Sequence, residues 1–162
     1  MPTMRVSCIV AAAPSTVFAA FTDPTEIRKW HVPDPEFTVC IAEVDARVGG
    51  IYRIGMQSPN RAEPHVFSGV CRDVRFPGRL VYTCRWEPPD RDVGESLVTL
   101  EFVAKGDATE VVVRHAGLPD DQSVADHTRG WTGTLGSLVR HLGSRNGPNK
   151  PLQPTRRTAP RG

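Results

Sequence analysis

No stretch of this chain is apolar over anything near the ~20 residues that a membrane-spanning helix requires, so a span is excluded. Met1 to Val6 lacks the basic, apolar and small-residue layout of a signal peptide, and the expectation is a cytoplasmic protein. Cys8, Cys40, Cys71 and Cys84 form no CxxC pair. A zinc site wants paired ligands at short spacing, so no metal is expected. The four cysteines read instead as small buried hydrophobes on strands, in a reducing compartment. GxSxG, GxGxxG and P-loop spacings are also missing, so neither a nucleophile elbow nor a nucleotide cofactor is expected. Gly49-Gly50 reads as a turn or bulge at a strand start.

Acid is missing from the carboxy-terminal end. From Ser144 onward stand five basic residues (Arg145, Lys150, Arg156, Arg157, Arg161) and no carboxylate. The remainder holds 15 basic against 18 acidic residues, so the net charge of +2 hides a mildly acidic body. A nucleic-acid binder carries its basic patch on the fold itself, so no nucleic-acid partner is expected. Rich in Pro, Gly and Arg with almost nothing to bury, 144–162 is expected to be a disordered tail on a single domain, 1–143.

What is present is organised around one helix. Val124, Trp131, Leu135, Leu138 and Leu142 recur at spacings of three, four and seven, with His127 on the same stripe. That period puts them on one face of a helix of about six turns. Asp120 and Asp121 suit its start, Arg140 and His141 its last turn, and Gly143 its cap. Gly130, Gly133 and Gly136 interrupt it, each at about 1 kcal/mol relative to alanine in a helix interior. They point either to close backbone packing or to a helix pared down beside Trp131 to leave room.

Ahead of the helix come strand patterns. Arg5 to Val10 is the first, followed by two short helices at Pro14 and Pro24, up to Trp30. Then follow about six strands: Phe37–Val44, Ile51–Met56, His65–Phe76, Leu80–Trp86, Leu97–Val103 and Thr109–His115. Tyr52, Ile54 and Met56 alternate with polar residues, as do Leu80, Tyr82, Cys84 and Trp86, so these faces should point inward. The strand from His65 carries apolar residues on both faces and its direction stays open. Asp73 and Glu87 are expected to pair with Arg72 or Arg85 on a solvated face. Strands followed by a long helix imply an α+β fold, the helix covering one face of a curved antiparallel sheet.

The ordered set Ala13-Pro14, Phe21-Thr22-Asp23-Pro24 with Trp30, Arg47-Val48-Gly49-Gly50-Ile51-Tyr52-Arg53, Pro77-Gly78-Arg79-Leu80-Val81-Tyr82-Thr83, Glu95-Ser96-Leu97-Val98-Thr99, His115-Ala116-Gly117-Leu118-Pro119 and Gly130-Trp131 carries a resemblance. From Ser7 to Leu142 the chain resembles the activator-of-Hsp90-ATPase-homologue-1-like (AHSA1-like) family of the START/Bet v 1-like superfamily. The resemblance implies the helix-grip fold, with about seven antiparallel strands gripping the carboxy-terminal helix. Superfamily members bind lipids, sterols, polyketides or flavonoids, and some are cyclases or hydrolases. The family name comes from a eukaryotic co-chaperone, and this chain resembles one of its two domains. The amino-terminal, Hsp90-stimulating domain has no counterpart here, so an Hsp90-type chaperone partner is not asserted.

Trp30, Tyr52, Met56, Tyr82, Trp86, His115, His127, Trp131 and Leu135 are the residues from which a ligand cavity between sheet and helix would be built. Apolar walls with few polar groups suit a small-molecule pocket, and Tyr and Trp add one hydrogen-bonding atom each; the same residues would equally fill a core. His115 is the candidate catalytic residue, because it shares strand parity with Val111 and Val113 and enters apolar surroundings. A satisfied core histidine is the competing reading. His127 could face it across the gap, His31 is expected near the surface at a corner, and His65 shares parity with Phe67 and Cys71. The leading expectation is binding of a hydrophobic or aromatic small molecule by a monomer or homodimer without cofactor. The rivals are a cyclase, dehydratase or hydrolase using His115, and an interaction module for a chaperone.

Overall fold

A computed structural model describes residues 3–143. The tail expected at 144–162 lies outside the described residues. In chain order the elements are β1 (Thr3–Val10), α1 (Pro14–Thr22), α2 (Pro24–Trp30), β2 (Thr38–Val44), β3 (Ile51–Gln57) and β4 (His65–Arg75). Then follow β5 (Arg79–Trp86), β6 (Ser96–Lys105), β7 (Ala108–Ala116) and α3 (Asp121–Leu142). One seven-stranded sheet runs β1-β7-β6-β5-β4-β3-β2, antiparallel at every pairing. The α+β helix-grip expectation is met: the sheet curls around α3. Among the described residues no helix is long and apolar enough to cross a membrane.

Local chemistry sets the helix ends. Pro14 and Pro24 open α1 and α2, where a missing N–H costs nothing. Asp23 ends α1 and caps α2, its carboxylate accepting from the Thr25 N–H at 2.9 Å. Asp120 caps α3, accepting from the Ser123 N–H at 2.8 Å, and Arg91 beside it holds its carboxyl down at about 2. Arg140 and His141 occupy the last turn, and the Gly143 N–H closes on the Val139 carbonyl.

Two departures from strict alternation bend the sheet. Register shifts leave Cys40 in β2 and Arg72 in β4 as bulges. Cys40 is therefore exposed on an edge strand, not buried as expected, whereas Cys71 and Cys84 are buried. At Gly69 β4 closes so tightly on β5 that a Cβ would lie 1.7 Å from the Thr83 carbonyl oxygen. The Thr83 hydroxyl there takes the Val70 N–H at 2.9 Å, so Thr83 is buried although its parity marks it as outward. Gly69 also pairs with Tyr52, and Tyr82 pairs with Cys71 two residues along β4. With no side chain beside Tyr52, the two tyrosine rings stack across β4 at 4.0 Å and 10°.

On the outer face Asp73 pairs with Arg75 and Arg79, and Glu87 with Arg53, rather than with Arg72 or Arg85. A shared sheet face chooses such partners, two residues along the strand for Arg75 and across strands for Arg79 and Arg53, whereas the adjacent Arg72 is the bulge residue.

Candidate functional site

The three helix glycines have different tasks. A Cβ on Gly133 would sit 2.0 Å from the Pro33 carbonyl oxygen, so here the bare backbone lets the segment after α2 close on α3. A Cβ on Gly130 would meet nothing within 4 Å, and Gly130 fronts a cavity. At Gly136 the nearest atom, the tip of Arg140, is at an ordinary 3.5 Å. Close packing and thinning beside Trp131 are both present, one turn apart.

The cavity, of about 450 Å³, lies between the inner faces of β3, β4 and β5 and helix α3. Met56, Tyr82, Trp86, His115, His127 and Trp131 line it. Trp30, Tyr52 and Leu135 do not; they are buried in the core. The Trp30 indole donates to the Ala20 carbonyl at 2.9 Å and the Tyr52 hydroxyl to the Phe21 carbonyl at 2.7 Å. These two aromatics therefore use their polar atoms to tie α1 to α2 and β3. Leu135, one turn beyond Trp131, points into the core.

Two indole–imidazole couples dominate the walls. Trp131 donates to His115 Nδ1 at 3.1 Å and Trp86 to His127 Nε2 at 3.0 Å. An indole can only donate, so each acceptor nitrogen carries no proton. His115 Nε2–H then donates to Ser96 Oγ at 2.7 Å, and Ser96 passes its own proton to the Cys84 carbonyl at 3.0 Å. His127 Nδ1–H donates to the Ser123 carbonyl at 2.7 Å. The rings lie 4.7 Å apart, as a pair facing across the gap. Burial, and secondarily His127, push the His115 pKa down to about 3. Both of its nitrogens are spent on protein partners, which leaves no ring nitrogen for a substrate. His115 is thus a wall residue hydrogen-bonded on both sides, to Trp131 and to Ser96.

Sequence reasoning missed a buried polar group of the cavity wall. His31 was expected near the surface, yet it is 3 % exposed. Nothing in its local sequence signals this; it is Gly133 that brings Pro33 onto α3 and presses His31 to 6.2 Å from the Trp131 ring. Burial lowers its pKa to about 4. The backbone of His31 itself offsets part of that lowering, and neither ring nitrogen has a hydrogen-bond partner from another residue. Phe67 also lines the cavity, and the face it shares with His65 and Cys71 is the inward one. At the rim, Asp90 pairs with both Arg61 and His65, and Arg91 pairs with Asp120, tying the loop between β5 and β6 across the opening.

Two neutral buried imidazoles make stability acid-sensitive. Unfolded, each protonates near its ordinary 6.5; folded, His31 holds out to about 4 and His115 to about 3. The unfolded chain therefore binds more protons below pH 6.5, and stability falls on acidification. The contribution is complete above the unfolded value and is lost as pH drops toward the folded ones. Urea melts at closely spaced pH should show a slope approaching two protons between about pH 6 and 5, above the carboxylate range. His31→Phe should remove one of them; an unchanged slope would mean that ring is solvated.

A curved antiparallel sheet gripping a long helix over an apolar cavity defines a helix-grip protein. The chain belongs to the activator of Hsp90 ATPase homolog 1-like protein family, whose model matches residues 11–143. It is similar to the crystal structure of CV1439 from Chromobacterium violaceum, at TM-score 0.77 and 26% identity over 86% of this chain and 96% of that one. It is also similar to the AHSA1 protein SPO3351 from Silicibacter pomeroyi, at TM-score 0.76 and 25% identity over 87% and 97%. No curated protein sequence matches it.

Proposed function

We propose that this protein binds a hydrophobic or aromatic small molecule in the cavity between β3–β5 and α3. The observation that carries this reading is the cavity itself: about 450 Å³, walled by Met56, Phe67, Trp86 and Trp131 and fronted by the bare backbone of Gly130. Small-molecule sites fall at about 300–1,000 Å³ and combine apolar walls with a few placed polar groups. A cyclase, dehydratase or hydrolase mechanism at His115 would need a nitrogen that Trp131 and Ser96 already occupy. Binding therefore accounts for the site without a reaction.

Trp86 and Trp131 line the cavity while Trp30 does not, so two of the three tryptophans should report on an occupant. Native mass spectrometry of the purified protein, followed by fluorescence titration with aromatic and lipid-like compounds, is the test. A co-purified small mass or saturable quenching is expected. A bare mass with no response to any compound would leave the aromatics as wall without cargo and defeat the proposal.

A further inference from the structure

Among the described residues, the fully buried side-chain nitrogen and oxygen atoms with no protein partner belong to two residues, His31 and Tyr82. Both line the cavity. Tyr82 is 0 % exposed and His31 3 %. Both neighbour Phe67, whose ring centre is 6.1 Å from His31 and 6.2 Å from Tyr82. Phe21, 6.4 Å from His31, gives its carbonyl to Tyr52, on which Tyr82 stacks. The other polar aromatics of the wall each have a protein partner: Trp86, Trp131, His115 and His127 pair with one another, Ser96 and Ser123, and His65 pairs with Asp90. A buried donor or acceptor left unpaired costs about 1–3 kcal/mol, so a fold that satisfies the rest has a use for these.

The kind of partner follows from what the two groups offer. Burial keeps the imidazole neutral and the phenol protonated. A neutral imidazole presents one N–H and one lone pair, and the phenol one O–H and its lone pairs. No charge stands at this depth to offset a charged ligand group. The rim charges are engaged: Asp90 with Arg61 and His65, Arg91 with Asp120, and Asp126 with Arg129. The matching group is uncharged and both gives and takes a hydrogen bond, as a hydroxyl does: it accepts from the Tyr82 O–H and donates to the bare nitrogen of His31.

Resting on the cavity-binding reading, we infer that His31 and Tyr82 form a polar anchor, selecting an uncharged, mainly aromatic molecule that carries a hydroxyl at its buried end. The test compares three probes of one shape on the full chain: naphthalene, 2-naphthol and 2-naphthoate. Tight binding of 2-naphthol is expected, with naphthalene at least about tenfold weaker, the equivalent of about 1.4 kcal/mol, and 2-naphthoate weaker still. Tyr82→Phe and His31→Phe should each erase most of the naphthol preference, bringing the ratio of naphthol to naphthalene affinity toward one. Because Tyr82→Phe deletes an unpaired buried oxygen and keeps the ring, its melting temperature should equal or exceed that of the parent, which guards against misfolding as an explanation. Equal affinity for naphthol and naphthalene, or a preference surviving both substitutions, overturns the anchor while leaving the cavity intact. Failure of all three probes to bind overturns the anchor and the cavity-binding reading together.

Discussion

Gly133→Ala is expected to lower the free energy of unfolding by about 3 kcal/mol, at the upper end of what overpacking ordinarily costs. The added Cβ would lie 2.0 Å from the Pro33 carbonyl oxygen and 2.9 Å from its carbon. Those are backbone atoms, which cannot rotate aside as a side-chain tip can. Either α3 lifts or the segment after α2 moves, and both movements open the contact that buries His31. Gly130→Ala is the control in the same helix: with nothing within 4 Å, it should gain the helix propensity of alanine, about 0.8–1 kcal/mol. Urea denaturation of both at pH 7 decides the matter. Similar small effects would show that α3 does not press on Pro33. A second consequence follows for acid sensitivity: solvating His31 should return its titration toward the ordinary range, so the proton slope between about pH 6 and 5 should shrink in Gly133→Ala.

Trp131→Ala should weaken binding of an aromatic ligand at least tenfold, about 1.4 kcal/mol, while the protein remains folded. Trp131 is 9 % exposed and lines the cavity, and its indole N–H holds His115 Nδ1 at 3.1 Å. Core Trp→Ala changes cost about 3–5 kcal/mol; a ring with one side on a cavity belongs at the lower end, within the ordinary stability of a domain. Trp131→Phe separates wall from hydrogen bond. It keeps an aromatic face but orphans His115 Nδ1, so it should cost stability of about 1–3 kcal/mol and hold affinity within a few-fold. The readouts are fluorescence of the remaining Trp86 or calorimetry for affinity, and urea melts for stability. Unchanged affinity in a folded Trp131→Ala protein would remove this residue from the site, and with it the main wall of the cavity.

His115 shows where inference from parity stops. Its place beside Val111 and Val113 correctly put the ring inside, and all three are buried. Parity says which face a side chain takes, not what meets it there. Ser96 and Trp131, which complete its hydrogen bonds, come from 19 residues before it and 16 after. Met56, Tyr82, Trp86, His127 and Trp131 were legible as cavity wall by the same alternation and helical period. Trp30 and Tyr52 carried the same signal but lie in the core, because their polar atoms found backbone carbonyls of α1.

The sequence alone determined the periodic quantities. The helical stripe ending at Leu142, its cap at Asp120, the prolines opening α1 and α2, and the strand alternations each depend on neighbours a few residues apart. Local sterics and hydrogen bonding decide such features wherever the chain goes. The tertiary structure alone decided the particulars of the site. That Gly133 meets Pro33, that Gly130 faces open space, that Gly69 lets two tyrosines stack across a strand, and that His31 and Tyr82 are left unpaired are all consequences of contacts distant in sequence. A glycine reads the same whether backbone or empty space lies opposite it, and a histidine reads the same whether its nitrogens are satisfied or free; only the approach of another segment distinguishes them.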